Sequence, residues 1–595
     1  MTLLQFRRSQ RSPRSPRSSA PKAIGQSPRS SILIVLVSLL LFGLIPARLA
    51  FLQIVQGRYN RELADDNRIQ LIPKRPERGK IFDRKGRILA GSELSYAVSV
   101  WPLVQKKEQW PQILKTLSEI LDLPAEQIKT KVEKAAANSP SRVSIARGIS
   151  FTQIVALQEH RSELFGVEVD NEATRSYPNG EMAAQTLGYI GEITEEEFSD
   201  LKRKGYRLDD VVGKVGIEAA YEKELHGTWG GQQVEVDGAG QIVRILGQKP
   251  TLSGKDITLT LDLDVQKAAE EALGDRPGAI VAMDPRDGSV LAMVSHPAFD
   301  PNWFSKSMTE AQWQSLQKRS FPFVDRAIQG FPPASTFKII TATAGMESGK
   351  FSPDTVLMTY PSIHGVGDWN GAGFGAIGFV TALQWSSNTF FGQVGVGVGP
   401  DILMDWAHRY GLGQKTGIEI SGEAEGFLPN PDWKKKVWQE KWYPADSVMM
   451  SIGQGAVQVS PLQSAVVFSV PANGGYRVKP HLLKFDKPTE VWRQSLNIKP
   501  QTLNTIRTGM RAVVEAGTST ALNVPTIPPV AGKSGTGEDP PRPSHTWFGG
   551  FAPFAKPEIV VVVFAENSGG GGGHTCGPIA LKVFEAYFKH NPPQK

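Results

Sequence analysis

Ser335 and Lys338 stand in the run Pro332-Pro333-Ala334-Ser335-Thr336-Phe337-Lys338, which opens an apolar stretch reaching to about Ser348. Prolines suit the first positions of a helix, so the pattern predicts a helix entry here. The serine then lies at the helix start and the lysine one turn on, on the same face. A hydroxyl is a weak nucleophile until a base takes its proton. Lysine becomes that base when burial and nearby positive ends depress its pKa. Taken alone, this spacing also fits a capping serine followed by a surface lysine. Lys338 is set between Phe337 and Ile339-Ile340, however, which argues for a buried amine.

Two further segments carry chemistry-bearing side chains. Ser386-Ser387-Asn388 puts a hydroxyl and an amide two residues apart on a predicted loop, from which both can enter one cleft. Ser386 can relay a proton between lysines, and Asn388 can hold a substrate amide; a plain polar turn has the same composition. Lys533-Ser534-Gly535-Thr536 follows Ala531-Gly532 and reads as an edge strand. Glycines there permit another backbone to come close, and a peptide could add as an extra strand. Lys533 would attract a carboxylate that Ser534 and Thr536 hydrogen-bond, and the Thr536 amide could face an oxyanion. The alternative is a glycine-rich hairpin.

The elements that must position these groups follow from length and patterning. A chain of 595 residues predicts two or three domains. Its net charge of +7 equals the charge of residues 1–30, where Arg7, Arg8, Arg11, Arg14, Arg17, Lys22 and Arg29 stand without an acidic residue. The excess is therefore a tail and not a surface field, and no nucleic-acid partner is expected. The Ser/Pro/Arg composition of residues 1–31 predicts disorder.

Residues 32–55 form an apolar run that can cross a bilayer once, with Arg48 snorkelling near its outer end. A signal peptide cut after Ala50 would place Arg48 where a small residue is required, so an uncleaved anchor is expected. The basic flank puts the N-terminus in the cytoplasm and everything after Val55 outside. The lone Cys576 excludes an internal disulfide and a cysteine-based zinc finger.

Residues 56–255 read as a mixed, loop-rich domain with a helical pattern over Trp110–Ile128. From residue 256 the texture changes. Asp256–Leu263 alternates like a strand. Ala279–Met283 and Val290–Val294 form a hairpin about Asp284-Pro285-Arg286-Asp287-Gly288. Thr546–Phe551 and Ile559–Phe564 read as two more strands, and Ile579–Phe588 as a helix. Strands at both ends with helices between predict an α+β fold, one mostly antiparallel sheet covered on both faces.

Ser335-x-x-Lys338, Ser386-x-Asn388 and Lys533-Ser534-Gly535 together match the signature of penicillin-recognising serine enzymes in order and rough spacing. Outside its tail the chain resembles class B penicillin-binding proteins over nearly all its length. The resemblance extends to Arg78–Ala90, Arg175-Ser176-Tyr177-Pro178, Gly216–Gly230, Met283–Met293 and Ile452–Gln463. Within the class, His545–Pro553, Gly426–Lys436 and the strand before the glycine run look like the elongation type, penicillin-binding protein 2, with the division type as the alternative.

The resemblance implies a membrane-proximal pedestal (56–255) and a transpeptidase domain (256–595) with a five-stranded sheet. It implies D-alanyl-D-alanine stem peptides of peptidoglycan as substrate, β-lactams as inhibitors, and no cofactor. Ser335, Lys338, Ser386, Asn388 and Lys533 become the expected catalytic residues, and Ser534, Gly535 and Thr536 the expected substrate-binding ones. The implied partners are a polytopic glycosyltransferase and cytoskeleton-linked scaffold proteins of elongation. Some elongation-type members hold zinc between the first two motifs through Asp, His and Cys. Here that interval offers His364 and Asp368 but no cysteine, and Phe374 stands where a histidine would be expected, so no metal is expected. A serine β-lactamase would not need the pedestal or the anchor. A bifunctional glycosyltransferase–transpeptidase would need an acidic motif that residues 56–255 lack. A non-catalytic scaffold would not need intact motifs.

Overall fold

The computed structural model describes residues 28–56, 69–138, 142–207, 210–236, 242–485 and 492–592; the basic tail as far as residue 27 lies outside them. Two compact units result. The first holds a helix over Pro28–Ala50, prolonged by a wide turn over Phe51–Val55. Its apolar part, Ser31–Val55, has a mean hydropathy of 2.5 and none of it is buried. At 25 residues it exceeds the ~20 that a bilayer core requires, and it is the one such helix among the described residues. The same unit carries an antiparallel three-stranded sheet, Ile69–Lys74, Gly230–Val236 and Ile242–Lys249 in that order.

The second unit joins Arg75–Trp229 to Thr251–Lys595. In its amino-terminal part the long strand Ile88–Val100 pairs antiparallel with Ile81–Phe82, Val143–Arg147 and Val167–Ser176. The helical pattern expected over Trp110–Ile128 is two helices, Trp110–Leu121 and Ala125–Asn138. Asp122 adopts a left-handed conformation between them and Pro124 follows, which together end the first helix. Three segments far apart in sequence meet at the fully buried Glu218. It accepts hydrogen bonds from Arg78 (2.7 Å), Arg175 (2.7 Å) and the Tyr177 hydroxyl (3.1 Å). Burial would raise its pKa, but Arg175 and Arg78 outweigh that and hold the carboxyl below its ordinary value.

The carboxyl-terminal part is built on one sheet of β1 (Gly278–Met283), β2 (Val290–His296), β3 (Ala531–Asp539), β4 (Arg542–Ala552) and β5 (Ile559–Ala565), in the order β2-β1-β5-β4-β3. Every pair is antiparallel, with Lys533 opposite Gly549 and Thr536 opposite Thr546 at the β3 edge. Five helices matter for the site: α1 (Leu263–Leu273), α2 (Lys338–Glu347), α3 (Asn388–Val398), α4 (Pro461–Ala472) and α5 (Gly572–His590). Alternate residues of each central strand serve opposite cores. Val281, Val562 and Phe564 pack with Ile340 of α2 and Phe468 of α4, while Ala282, Val561 and Val563 pack with Val265 of α1 and Phe584 of α5. Burial on both faces explains why β5 reads Ile-Val-Val-Val-Val-Phe-Ala without polar alternation.

Two expected boundaries move. Of Asp256–Leu263 only Ile257–Thr258 is strand, because Asp262 turns its carboxylate onto the Asp264 amide and caps α1. Helix α5 begins at Gly572 rather than Ile579. The Gly572 amide donates to Thr536 Oγ1 (3.3 Å), and a Cβ there would lie 2.3 Å from the carbonyls of Gly535 and Trp547. A close tertiary approach starts this helix, which no local pattern announces.

Candidate active site

The predicted helix entry at Pro332-Pro333 is a tight 3-10 turn, Ala334–Phe337, leading into α2. Ala334 has φ 52°, a left-handed conformation costly for a residue with a Cβ. It is held by its N–H, which donates to the Gly453 carbonyl (2.8 Å). Gly453 itself has φ +69°, and a Cβ on it would lie 2.3 Å from the Ala334 carbonyl. Ser335 is thereby presented half-buried at the turn, one residue beyond the strain. Its hydroxyl makes no hydrogen bond within the described residues. Catalytic contacts commonly tighten only when substrate binds.

Lys338 is completely buried, as its apolar setting predicted. Its Nζ donates to the Ser386 carbonyl (2.8 Å) and Asn388 Oδ1 (2.6 Å), and lies 3.3 Å from Ser386 Oγ. Lys533, also completely buried, lies on β3, with Nζ 2.9 Å from Ser386 Oγ and 2.8 Å from the Ser534 carbonyl. One hydroxyl thus bridges two lysines contributed by segments almost two hundred residues apart. Ser386 also has a left-handed φ of 58°, which turns its carbonyl onto Lys338. Burial and then the charge of Lys533 push the Lys338 pKa well below its ordinary value, against an opposing pull from Asp368. Burial lowers that of Lys533 to about 7.

Both ends of the Asn388 amide are engaged, Oδ1 by Lys338 and Nδ2 by the Gly367 carbonyl (2.8 Å). A second Nδ2 proton remains for a substrate acceptor. On β3 the Ser534 hydroxyl pairs with Thr518 Oγ1 (2.7 Å), and Thr536 is exposed. Gly535 runs close to the Ser335 turn: a Cβ on it would lie 3.1 Å from the Pro333 carbonyl. Among the described residues β3 has β4 on one side only, and the eight residues named from the sequence converge at this sheet edge.

Three positions that shape this cleft were not named for it from the sequence: Gly453, Thr518 and Asp368. Asp368 was weighed as a metal ligand, but its buried carboxylate caps α3. It accepts from the Asn388 amide, the Thr389 amide (3.2 Å), Ser387 Oγ (3.0 Å) and Thr389 Oγ1 (2.7 Å). His364 is exposed, and no group of three potential metal-ligating side chains occurs among the described residues. The signal for a cap was present in the sequence, since a polar run precedes an apolar helix, but the acceptor lies 20 residues upstream of Asn388.

Comparison with known proteins adds independent findings. Residues 278–585 match the penicillin binding protein transpeptidase domain, and residues 73–259 match the penicillin-binding protein dimerisation domain. A peptidoglycan D,D-transpeptidase MrdA of Acinetobacter baumannii is 34% identical over 92% of this chain and 86% of its own. The MrdA of Escherichia coli K12 is 31% identical over 92% of each. Pseudomonas aeruginosa PBP2, solved with WCK 5153, is 29% identical with a TM-score of 0.67, over 87% of this chain and 97% of that one. A solved peptidoglycan synthase complex that coordinates polymerization and crosslinking contains a chain 30% identical, with a TM-score of 0.69, over 94% of this chain and 98% of that one.

Proposed function

The chain belongs to the penicillin-binding protein transpeptidases, with the dimerisation domain of that family ahead of the catalytic one, and from this premise we propose that it is an elongation-type peptidoglycan D,D-transpeptidase. The observation that carries the residue assignment is the Ser386 hydroxyl shared by two buried lysines beside the strained Ser335 turn. Ser335 Oγ attacks the penultimate D-alanine carbonyl of a stem peptide as neutral Lys338 takes its proton. The amides of Ser335 and Thr536 receive the oxyanion. Lys533, Ser534 and Thr536 hold the terminal carboxylate, with Gly535 leaving room for the substrate backbone. When the C–N bond breaks, the proton passes through Ser386 to the departing D-alanine amine. An amine of a neighbouring stem peptide then attacks the acyl-enzyme, and Ser335 regains its proton. Asn388 holds Lys338 and offers its second N–H to the substrate. A β-lactam enters as the donor does and stays on Ser335.

The membrane-length helix over Ser31–Val55 is the anchor in the cytoplasmic membrane, with the N-terminus inside and the catalytic domain on the outer side. A polytopic glycosyltransferase and a scaffold of elongation are the partners that fit. A chain similar to this one is part of the solved synthase complex that coordinates polymerization and crosslinking, and a Helicobacter pylori PBP2 of the same fold was solved in complex with MreC, with a TM-score of 0.79 at 24% identity over 88% of this chain and 99% of that chain. The test of the assignment is Ser335→Ala, which should fold, reach the membrane and take no fluorescent penicillin. Persistent labelling of Ser335→Ala would falsify it.

A further inference from the structure

The amino-terminal part of the second unit meets the transpeptidase half around a cleft of about 210 Å³ that none of the three motifs lines. One wall comes from Val143–Arg147 and Val167–Ser176, and another from residues 304–308, which belong to the transpeptidase half. Basic side chains dominate the lining: Arg75, Lys131, Arg147, Arg175 and Lys306, against Glu172 and Glu192. Glu172 is shared between Arg75 and Arg147, and Lys131 reaches Glu192 at 3.2 Å. Lys306 is an exposed lining residue and has no acidic partner among the described residues.

The cleft also contains unused donors. Arg175 is 3% exposed; its Nε and Nη1 are taken by Glu218 and the Gly79 carbonyl, while Nη2 has no partner. Ser305 is 7% exposed, and its hydroxyl, like that of Ser144 on the same lining, has none either. Buried donors are ordinarily satisfied, so a guanidinium N–H and two hydroxyls left open in one basic cleft ask for an acceptor. The positive potential is felt by Glu192, whose carboxyl is held below its ordinary pKa although burial acts the other way, chiefly by Lys131 and Arg147.

We propose that this cleft binds a small oxyanion, a phosphate or carboxylate group, at the joint between the pedestal and the transpeptidase half. Charge-assisted bonds from Arg175 Nη2 and Lys306 and a hydroxyl bond from Ser305 would hold it. Because Arg175 comes from the pedestal and Ser305 and Lys306 from the transpeptidase half, the ligand would brace the two against each other. The site is independent of the catalytic reading of Ser335.

The test is calorimetric titration of the detergent-solubilised full chain with inorganic phosphate and, separately, with acetate, ionic strength being held with chloride. Saturable binding of either one supports the proposal, and which of the two binds more tightly identifies the source. Lys306→Glu should weaken that binding at least tenfold, and Ser305→Ala several-fold. Lys318→Glu, an exposed lysine outside the cleft, should leave it unchanged. Melting of the unliganded variants checks folding, with Lys306→Ala replacing Lys306→Glu if the latter unfolds. No saturable heat with either anion, or binding indifferent to Lys306 and Ser305, overturns the proposal; water then satisfies the open donors.

Discussion

The two buried lysines share a hydroxyl but differ in what they must do. Lys338 has to be neutral to accept the Ser335 proton. Lys533 has to be charged to hold a carboxylate, and with its pKa at about 7 that charge is present below neutrality and lost as pH rises through it. The second-order rate of β-lactam acylation should therefore fall on its alkaline side with a midpoint near that value in the free protein. In Lys533→Arg the charge cannot be lost, because a guanidinium pKa lies above ~12. That variant should lose the alkaline limb, with a mild overall loss from fitting a larger head into a closed site. Lys338→Arg fixes a positive charge where a neutral amine is needed and so removes the base, and its acylation should drop about 10²–10⁴-fold at every pH. Stopped-flow acylation of both variants between pH 5 and pH 9 measures this. A larger loss in Lys533→Arg than in Lys338→Arg, with both folded, would reverse the division of roles.

Among the elements, two supports decide whether the site keeps its shape. Asp368 closes the N-terminus of α3 through two amides and two hydroxyls, and α3 begins at Asn388, the acceptor that holds Lys338. Asp368→Asn keeps the volume and loses the charge. It should cost about 1–2 kcal/mol, as caps commonly do, and should slow acylation as Asn388 loosens. Unchanged melting and acylation would mean that the cap is incidental. Gly453 supports the turn before Ser335. Gly453→Ala meets both a positive φ and the Ala334 carbonyl, whereas Gly474→Ala meets a positive φ of +85° with nothing within 4 Å. Both should lose about 1–3 kcal/mol to backbone strain. Only Gly453→Ala should also lower acylation, by tenfold or more, since only there is the Ser335 turn displaced. Equal acylation in the two variants would detach Gly453 from the site.

At the scale of the whole molecule, the membrane-length helix and its basic flank predict on which side of the membrane the catalytic domain lies. With Arg7, Arg8, Arg11, Arg14, Arg17, Lys22 and Arg29 retained inside, residues after Val55 should lie outside the cytoplasm. A reporter that is active only in the cytoplasm should be silent when fused after Lys595, and activity there would remove the access to peptidoglycan. The pedestal is fastened by the Arg78–Arg175–Glu218 cluster, in which removing one partner leaves a buried charge uncompensated. Its three contributing segments are those that carried the family resemblance in the amino-terminal half, so the similarity there marks a structural joint and not a second catalytic site.

By itself the sequence determined the chemistry on offer and most of the elements bearing it. The β1–β2 hairpin, strands β4 and β5, the Ser335 helix entry, the buried state of Lys338 and the membrane-length helix were legible because each follows from a local period, a turn residue or an apolar setting. Tertiary structure alone decided how the three motifs meet. The Ser386 hydroxyl bridges lysines from α2 and β3, Asp368 caps a helix that starts 20 residues later, and Gly453 pins the Ala334 turn. It also decided that α5 starts at Gly572, against β3. Local sequence encodes local torsions and burial; contacts between distant segments are set by how the sheet orders its strands and which backbones approach closely, and neither has a period to read.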